Sequence, residues 1–379
     1  MRSRRVIIGL MVVALLMGTI ISFTGVAASN TILIGVQAPF TGDNALHGDH
    51  LKKALIMAAG EINQKGGFDG KRIIFAYGDD KSDPQEAATV AQKFSIMADL
   101  FCVLGPIQSS CALAAMPIYQ KSNIVLMSPS NTNPKVTQMG YTTYFRIIPT
   151  DSLTGPFIAE VVIKDLDKKR ISVIFNNDDY GRGTRDILVS SIKKMDGNVL
   201  SEDAISGGVD KDFTSILTRI KSLKPDAVVL IVEYIDCALI LRQAYNLGLR
   251  TQFIGSSSVQ HPEVAKLAGN EAAEGLMAVV FYDPYNPDPV SLDYTQRFEE
   301  RYHIAPTEMS GFGYDLLYIL KQAYVVYHGT TREKLLTALH KVVYKGVTGV
   351  TRFNAQGDVL GKKPVVLIMK DGEYTPYVP

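Results

Sequence analysis

Residues 100–134 read LFCVLGPIQSSCALAAMPIYQKSNIVLMSPSNTNP. A short apolar run, 101–104, stops at Gly105-Pro106, a turn signal. Ser109 and Ser110 then stand where a helix would begin, and 110–120 continues as that helix. A second apolar run, 124–127, breaks into Ser128-Pro129-Ser130-Asn131-Thr132-Asn133-Pro134. Two neighbouring strands therefore end in hydroxyl-rich loops, and one loop opens a helix. Hydroxyls, free backbone N–H groups and the positive end of a helix dipole together make a site for a small anion such as a carboxylate. The alternative is that these residues only cap and turn.

Outward from this stretch the same alternation repeats. Upstream, strands are predicted at 31–37 and 72–77, with helices from about 48 and from 84 to about 98. Asp83, Pro84 and Glu86 form a capping-box-like start for the second helix. Downstream, 144–150 leads out of this unit and a second series begins. It has helix 153–165, strand 171–175, a polar loop 176–183 and helix 184–195. A short strand follows from 199, then helix 212–222 capped by Asp210, strand 226–232, helix 236–247 and strands 252–255 and 276–281. The Pro- and Asn-rich segment 283–289 precedes helices 290–302, 311–328 and 331–341. Segments 350–353 and 364–369 are expected to pair as strands around a turn at 354–358. Such alternation means two α/β units, each a parallel sheet covered by helices on both faces. Ligands lie beyond the carboxyl ends of such strands. If the two units face each other, their polar loops converge on one cleft.

The chain has 379 residues, 46% of them hydrophobic, enough for two cores of ordinary domain size. Arg2, Arg4 and Arg5, the apolar run 6–21 and Val26-Ala27-Ala28 compose a secretory signal peptide, with cleavage expected after Ala28. An uncleaved membrane anchor is the competing reading. Cleavage takes three arginines from 39 basic residues, so 36 remain against 38 acidic ones, a net charge of −2. That balance gives no surface for nucleic acid or anionic membrane. The three cysteines, Cys102, Cys111 and Cys237, leave at least one thiol free. A Cys102–Cys111 bridge is an alternative, opposed by the placing of one inside a strand and the other beyond the loop.

Catalytic patterns are missing from the sequence. None of the six histidines falls in a His-Glu-x-x-His pattern. His47-Gly48-Asp49-His50 could hold a metal, but no second ligand cluster accompanies it, and it reads as a loop opening a helix. No phosphate loop and no Gly-x-Ser-x-Gly elbow occur, and Gly255-Ser256-Ser257-Ser258 has no identifiable base. Neither enzyme activity, metal nor cofactor is expected.

Several stretches taken in order resemble the bacterial periplasmic solute-binding proteins of the leucine/isoleucine/valine-binding type. They are Glu61-Ile62-Asn63-Gln64-Lys65-Gly66-Gly67-Phe68-Asp69-Gly70, Asp79-Asp80-Lys81-Ser82-Asp83-Pro84, Ser128 through Arg146, Asp178-Asp179-Tyr180-Gly181 and Leu241-Arg242-Gln243-Ala244. The resemblance covers nearly the whole mature chain. It implies a type I periplasmic binding protein: two Rossmann-like lobes with parallel sheets, joined by a three-crossing hinge. The lobes would be 29–149 with 281–348, and 150–280 with 349–379, after signal peptide 1–28. It also implies a monomer that closes on a small solute in the periplasm and docks on the membrane permease of an ABC importer.

Residue by residue, the resemblance places Ser109, Ser130 and Thr132 on the ligand's α-carboxylate, with Asn131 in the same ligand-binding loop. His47 falls at a position lining the side-chain pocket, and Tyr180 at a ligand-contacting tyrosine of the second lobe. Two departures bear on the ligand. Ser257 stands where the amino-acid binders have the acid that meets the ligand's ammonium. Glu233 stands where they have a tyrosine, so the acid has either moved to Glu233 or the ligand carries no ammonium. The family's disulfide positions correspond to Ser82 and Gln108, and both cysteines are gone. The expected ligand is thus a small carboxylate-bearing solute, an amino acid of the branched-chain or a related kind. An aromatic or aliphatic acid, an amide or urea-like solute, or a role as ligand-sensing subunit of a membrane receptor are the alternatives.

Overall fold

A computed structural model describes residues 30–378. The expected signal peptide lies outside the described residues. Within them, no helix is long and apolar enough to cross a membrane.

The strand Thr31–Ala38 buries Ile32, Ile34 and Val36, every second residue, in one core. It lies between Arg72–Asp79 and Leu100–Leu104 in a five-stranded sheet completed by Val125–Ser128 and Tyr144–Arg146. Every pairing in this sheet is parallel. Strand order reverses between Thr31–Ala38 and Leu100–Leu104, so the loops after these two strands diverge and leave a crevice. Helix Ala45–Gln64 covers one face, and helices Pro84–Ser95 and Ser109–Lys121 the other. Asp83 caps the second of these through its carboxylate, as its sequence predicts.

The second sheet has seven strands. Met277–Val280, Gln252–Gly255, Ala227–Ile231, Arg170–Asn176 and Asn198–Ile205 run parallel. Val365–Lys370 and Glu373–Pro376 add antiparallel strands at one edge, so this sheet is mixed. Its order reverses at Arg170–Asn176, beside Ala227–Ile231, and gives a second crevice. Ile171, Val173 and Ile231 pack to one side and Ile174, Leu230 and Val280 to the other.

Chain continuity ties the two lobes. Ile147 and Ile148 close the first core, and helix Asp151–Glu160 begins the second lobe. Val280 belongs to the second core, whereas Phe281 and Tyr282 return to the first. Helices Pro289–Tyr302, Glu308–Val325 and Arg332–Leu339 then pack there through Phe298, Phe312, Leu316 and Leu335.

The end of the chain departs from the sequence-based picture. Gly349–Phe353 does not pair with 364–369. It pairs with Tyr344–Gly346 and Val359–Leu360 in a small antiparallel sheet. Phe353 packs edge-on against Phe145 of the first lobe, with ring centroids 5.1 Å apart. Asp358 accepts a hydrogen bond of 2.7 Å from Arg146 Nε. These contacts hold the segment on the first lobe, so the last passage between lobes falls at 361–364 and not at 348/349. Asp210 likewise does not cap a helix: its carboxylate accepts the Ser206 N–H, and Asp212 accepts that of Thr214 at the start of Thr214–Leu223.

Candidate functional site

Both crevices open toward each other, and their loops line a small cavity, beside which a larger space opens between Asp43, Ser110, Asn176 and Asp236. Water can move its centre through only about 50 Å³ of the small cavity. Ser109, Ser130, Thr132 and His47 reach it from the first lobe, and Tyr180, Glu233 and Ser257 from the second.

The first-lobe wall is built by backbone capture. Ser109 is the first residue of a 13-residue helix, and its hydroxyl accepts the Asn133 N–H at 3.4 Å. Ser128 Oγ accepts the N–H groups of Ser130 and Asn131 and donates to Pro106 O. Arg146, wholly buried, donates from Nη1 to the carbonyls of Asn131 and Asn133 and from Nη2 to Thr137. These bonds fold the 128–133 loop over the helix N-terminus. Hydroxyls and the helix dipole then face one small volume, the arrangement an anion requires. Asn131 is the exception among the expected ligand-binding residues. Its amide donates to Ile107 O at 2.7 Å and accepts from the Tyr144 hydroxyl at 3.0 Å, so it shapes the loop and does not line the cavity.

Two glycines let the helices start close to the strand ends. A Cβ on Gly48 would lie 1.9 Å from Pro39 O, and one on Gly181 would lie 2.0 Å from Asn176 O. Helix Ala45–Gln64 therefore begins before His47, three residues earlier than its sequence suggests. Helix Asp179–Lys194 begins before Tyr180, with Asp178 capping through Gly181 N–H. The Tyr180 hydroxyl is taken up by Ser256 and by Ser258, the latter at 3.0 Å. Burial, then the nearby Asp151, holds that phenol well above its usual pKa. Tyr180 thus offers the cavity a ring whose polar end is already satisfied.

Several bonds hold one lobe against the other. His47 Nε2 stands 3.3 Å from Glu233 Oε2. Tyr234 donates its hydroxyl to Asp43 O at 2.9 Å, and Lys211 pairs with Asp43 at 3.0 Å. Asn133 donates to Asp179 O. Behind His47 the rings of Tyr234 and His261 stack at 4.4 Å, and His50 meets His261 edge-on at 5.3 Å. Burial, then His47, pushes the His50 pKa down to about 4, and the same causes in the same order lower His261. Among the described residues, no group of acids, histidines and cysteines could hold a metal ion. Cys102, Cys111 and Cys237 are all free and buried.

Eight lining residues lie outside the set expected from sequence, and three of them, Asp178, Gln108 and Glu308, bring carboxyl or unbonded amide groups to the cavity. Asp178 was legible as a helix cap, and burial raises its pKa to about 6. Gln108 has neither side-chain oxygen nor nitrogen bonded among the described residues. Glu308 lies in the first turn of a helix expected to start at 311. The signal for the earlier start was present: Thr307 stands at the N-cap position, and its N–H donates to Ser310 Oγ at 2.8 Å, one half of a capping box. Glu308 Oε1 accepts Phe281 N–H at 2.6 Å, and its own N–H bonds Gln260 Oε1 at 3.1 Å. Burial raises its carboxyl pKa to about 7, against the opposing hydrogen bonds of Phe281 N–H and the Ser257 hydroxyl.

The family model for periplasmic binding proteins matches residues 31–357. The Leu/Ile/Val-binding protein of Citrobacter freundii is 32% identical over 278 residues, covering 73% of this chain and 74% of that protein. A leucine-binding protein from Thermotoga maritima superposes with a TM-score of 0.86 at 27% identity, over 92% of this chain and 98% of its own. The branched-chain amino acid transporter substrate-binding protein of Streptococcus pneumoniae, in complex with isoleucine, gives 0.85 at 26%, over 91% and 97%.

Proposed function

The chain belongs to the periplasmic binding protein family, in its Leu/Ile/Val-binding group, and we propose that it captures a small carboxylate-bearing solute, an amino acid of the branched-chain or a related kind, in the periplasm and delivers it to the permease of an ABC importer. The observation that carries this reading is the cavity between the lobes, small and lined by Ser109, Ser130 and Thr132 at a helix N-terminus. The carboxylate takes the hydroxyls and the positive helix end. Ile107 and Met309, with the Tyr180 ring, give the remainder of the solute an apolar surface of limited size. Ligand contacts to both lobes favour the closed arrangement over the open one, and that difference is what a permease reads. Nothing in this role calls for bond breaking; the chain binds, closes and releases.

One observation favours a second reading, in which the solute is an acid without an ammonium group, or an amide: position 257 carries a hydroxyl and not a carboxylate. A thermal-shift screen of the mature protein against amino acids, aromatic and aliphatic acids, amides and urea separates the two. Amino acids raising the melting temperature is the expected result. A rise with nitrogen-free acids alone sinks the amino-acid assignment, and a rise with amides or urea alone sinks the carboxylate itself.

A further inference from the structure

The cavity holds two glutamates, and they are not equivalent. Glu233 is met by His47 at 3.3 Å, a cation whenever that imidazole is protonated. Glu308 has no ion-pair partner among the described residues. Its carboxyl takes Phe281 N–H and the Ser257 hydroxyl, both neutral donors. A carboxylate has room for about four hydrogen bonds, so acceptor capacity remains. The residue is 6% exposed and lines the same small space as Ser109 and Thr132. An ionised acid buried with little counter-charge is costly; His47 opposes that cost here, but as the smallest of the causes, and a cation arriving beside the carboxylate removes more of it. The raised pKa of Glu308 expresses that cost.

Glu308 also sits where a cation would be selected. It comes from the first turn of a first-lobe helix, yet it touches Ser257 and Gln260, both on the loop after the second-lobe strand Gln252–Gly255. Ser257 is the position at which the resemblance implies an acid. The first lobe thus places a carboxyl against the side chain of Ser257, at the spot where the second lobe offers only a hydroxyl.

We infer that Glu308 is the specificity-determining acid of this cavity, which accepts a ligand's ammonium while Ser109, Ser130 and Thr132 hold its carboxylate. The inference rests on the carboxylate-capture reading and narrows it to zwitterionic solutes. It moves the counter-charge from Glu233, which serves instead to shut the cleft against His47.

The test is calorimetry on the mature chain with L-alanine, L-valine, L-leucine, L-serine and L-glutamine, each paired with its des-amino acid, such as 3-methylbutanoate for valine. In wild type the amino acid binds more tightly than its partner. Glu308→Gln loses roughly 10- to 100-fold for the amino acid, while the des-amino acid is unchanged or tightened. Glu233→Gln weakens both members of a pair alike. A Glu308→Gln protein that keeps the wild-type ratio between the two overturns the inference. So does a wild type that prefers the des-amino acids, although carboxylate capture then survives. If wild type binds neither class, carboxylate capture fails and this inference with it. Should Glu308→Gln fail to fold by circular dichroism, wild type decides in two buffers of different ionisation heat at pH 7. His47, Glu233 and Asp178 also face the cavity, and both members of a pair bring them the same carboxylate, so the difference within a pair isolates the ammonium. The amino acid releases protons relative to its des-amino partner; equal or opposite proton counts overturn the inference.

Discussion

His47 Nε2 lies 3.3 Å from Glu233 Oε2, with the two side chains 8% and 16% exposed. One residue comes from the first helix of the first lobe and the other stands at the N-cap position of the second-lobe helix Tyr234–Asn246, just past the strand Ala227–Ile231. The contact joins one lobe to the other, so any opening of the cleft between them breaks it. The Tyr234 hydroxyl on Asp43 O, the Lys211–Asp43 pair and Asn133 on Asp179 O act in the same direction. The exposed Lys211–Asp43 pair adds little, because solvent screens it. The sheltered His47–Glu233 pair carries more.

Replacing Glu233 with glutamine is therefore expected to weaken binding of any solute. Loss of about 1 kcal/mol from the closed state, the scale of one hydrogen bond, lowers affinity roughly fivefold. Calorimetry reads the affinity, and small-angle scattering reads the greater share of open molecules. Identical affinities in the variant and wild type would show that the pair does not contribute to closure.

The carboxylate wall makes a separate prediction. Ser109→Ala and Thr132→Val each remove a hydroxyl from the cavity. Hydrogen bonds to a charged group are worth about 1.5–3 kcal/mol, so each change should cost roughly tenfold or more in affinity for a carboxylate solute. Asn131→Ala should act differently, because that side chain braces Ile107 and Tyr144 away from the cavity. Its main effect should be on the melting temperature. A selective loss of affinity in Asn131→Ala with stability unchanged would return that residue to the binding set.

Arg146 offers a test of how the wall is held. Its guanidinium bonds Asn131 O, Asn133 O, Thr137 Oγ1 and Asp358, with no exposure of the side chain. Arg146→Met leaves Asp358, two loop carbonyls and the Thr137 hydroxyl without their donor. Breaking a buried pair by removing one partner costs about 3–5 kcal/mol. A fall of that size in denaturant unfolding is expected, together with weaker ligand binding as the 131–133 loop loosens. A fall below about 1 kcal/mol, within the range of an exposed pair, would contradict the role given to the guanidinium.

Much of this architecture was legible because it depends on local signals. The apolar runs ending at Gly105 and Ser128 place two neighbouring strands and the helix after the first, and period and caps place most other elements. Seven of the residues expected at the ligand line one cavity. What was not legible depends on contacts distant in sequence. Asn131 sits between two lining residues, but its orientation is set by Ile107 and Tyr144. The segment 350–353 reads as strand and 354–358 as a turn, but contacts distant in sequence, those of Phe145 and Arg146 among them, decide which lobe holds them. Glu308 is about 50 residues from Ser257, and nothing local to either says that they meet. Thr307 and Ser310 mark the helix start, yet a cap says nothing of what its second residue faces.

The histidines behind His47 give a prediction about pH. His50 is buried beside His47 and His261, with Lys53 adding further repulsion and Asp49 opposing it, and its pKa lies near 4. In the unfolded chain the same imidazole titrates at its ordinary value of about 6.5. Between these values the unfolded state holds more protons, so stability is lost as pH falls from about 6.5 toward 4 and this loss levels off below. Above pH 7 both states are neutral at this residue and it makes no contribution. The full span corresponds to roughly 3 kcal/mol. His50→Phe keeps a ring beside Phe298, which His50 already stacks against at 6.2 Å, and removes the titration. Buried carboxyls with raised pKa values, among them Asp151 and Asp178 at about 6, give the whole protein a pH dependence of the opposite sign. The informative quantity is therefore the difference between His50→Phe and wild type in urea unfolding at each pH. That difference should be constant above pH 7 and grow in favour of the variant as pH is lowered through 6 to 4.5. A difference that stays flat would mean that His50 accepts its proton in the folded protein as readily as in the unfolded chain, and that the ring column behind His47 tolerates a charge.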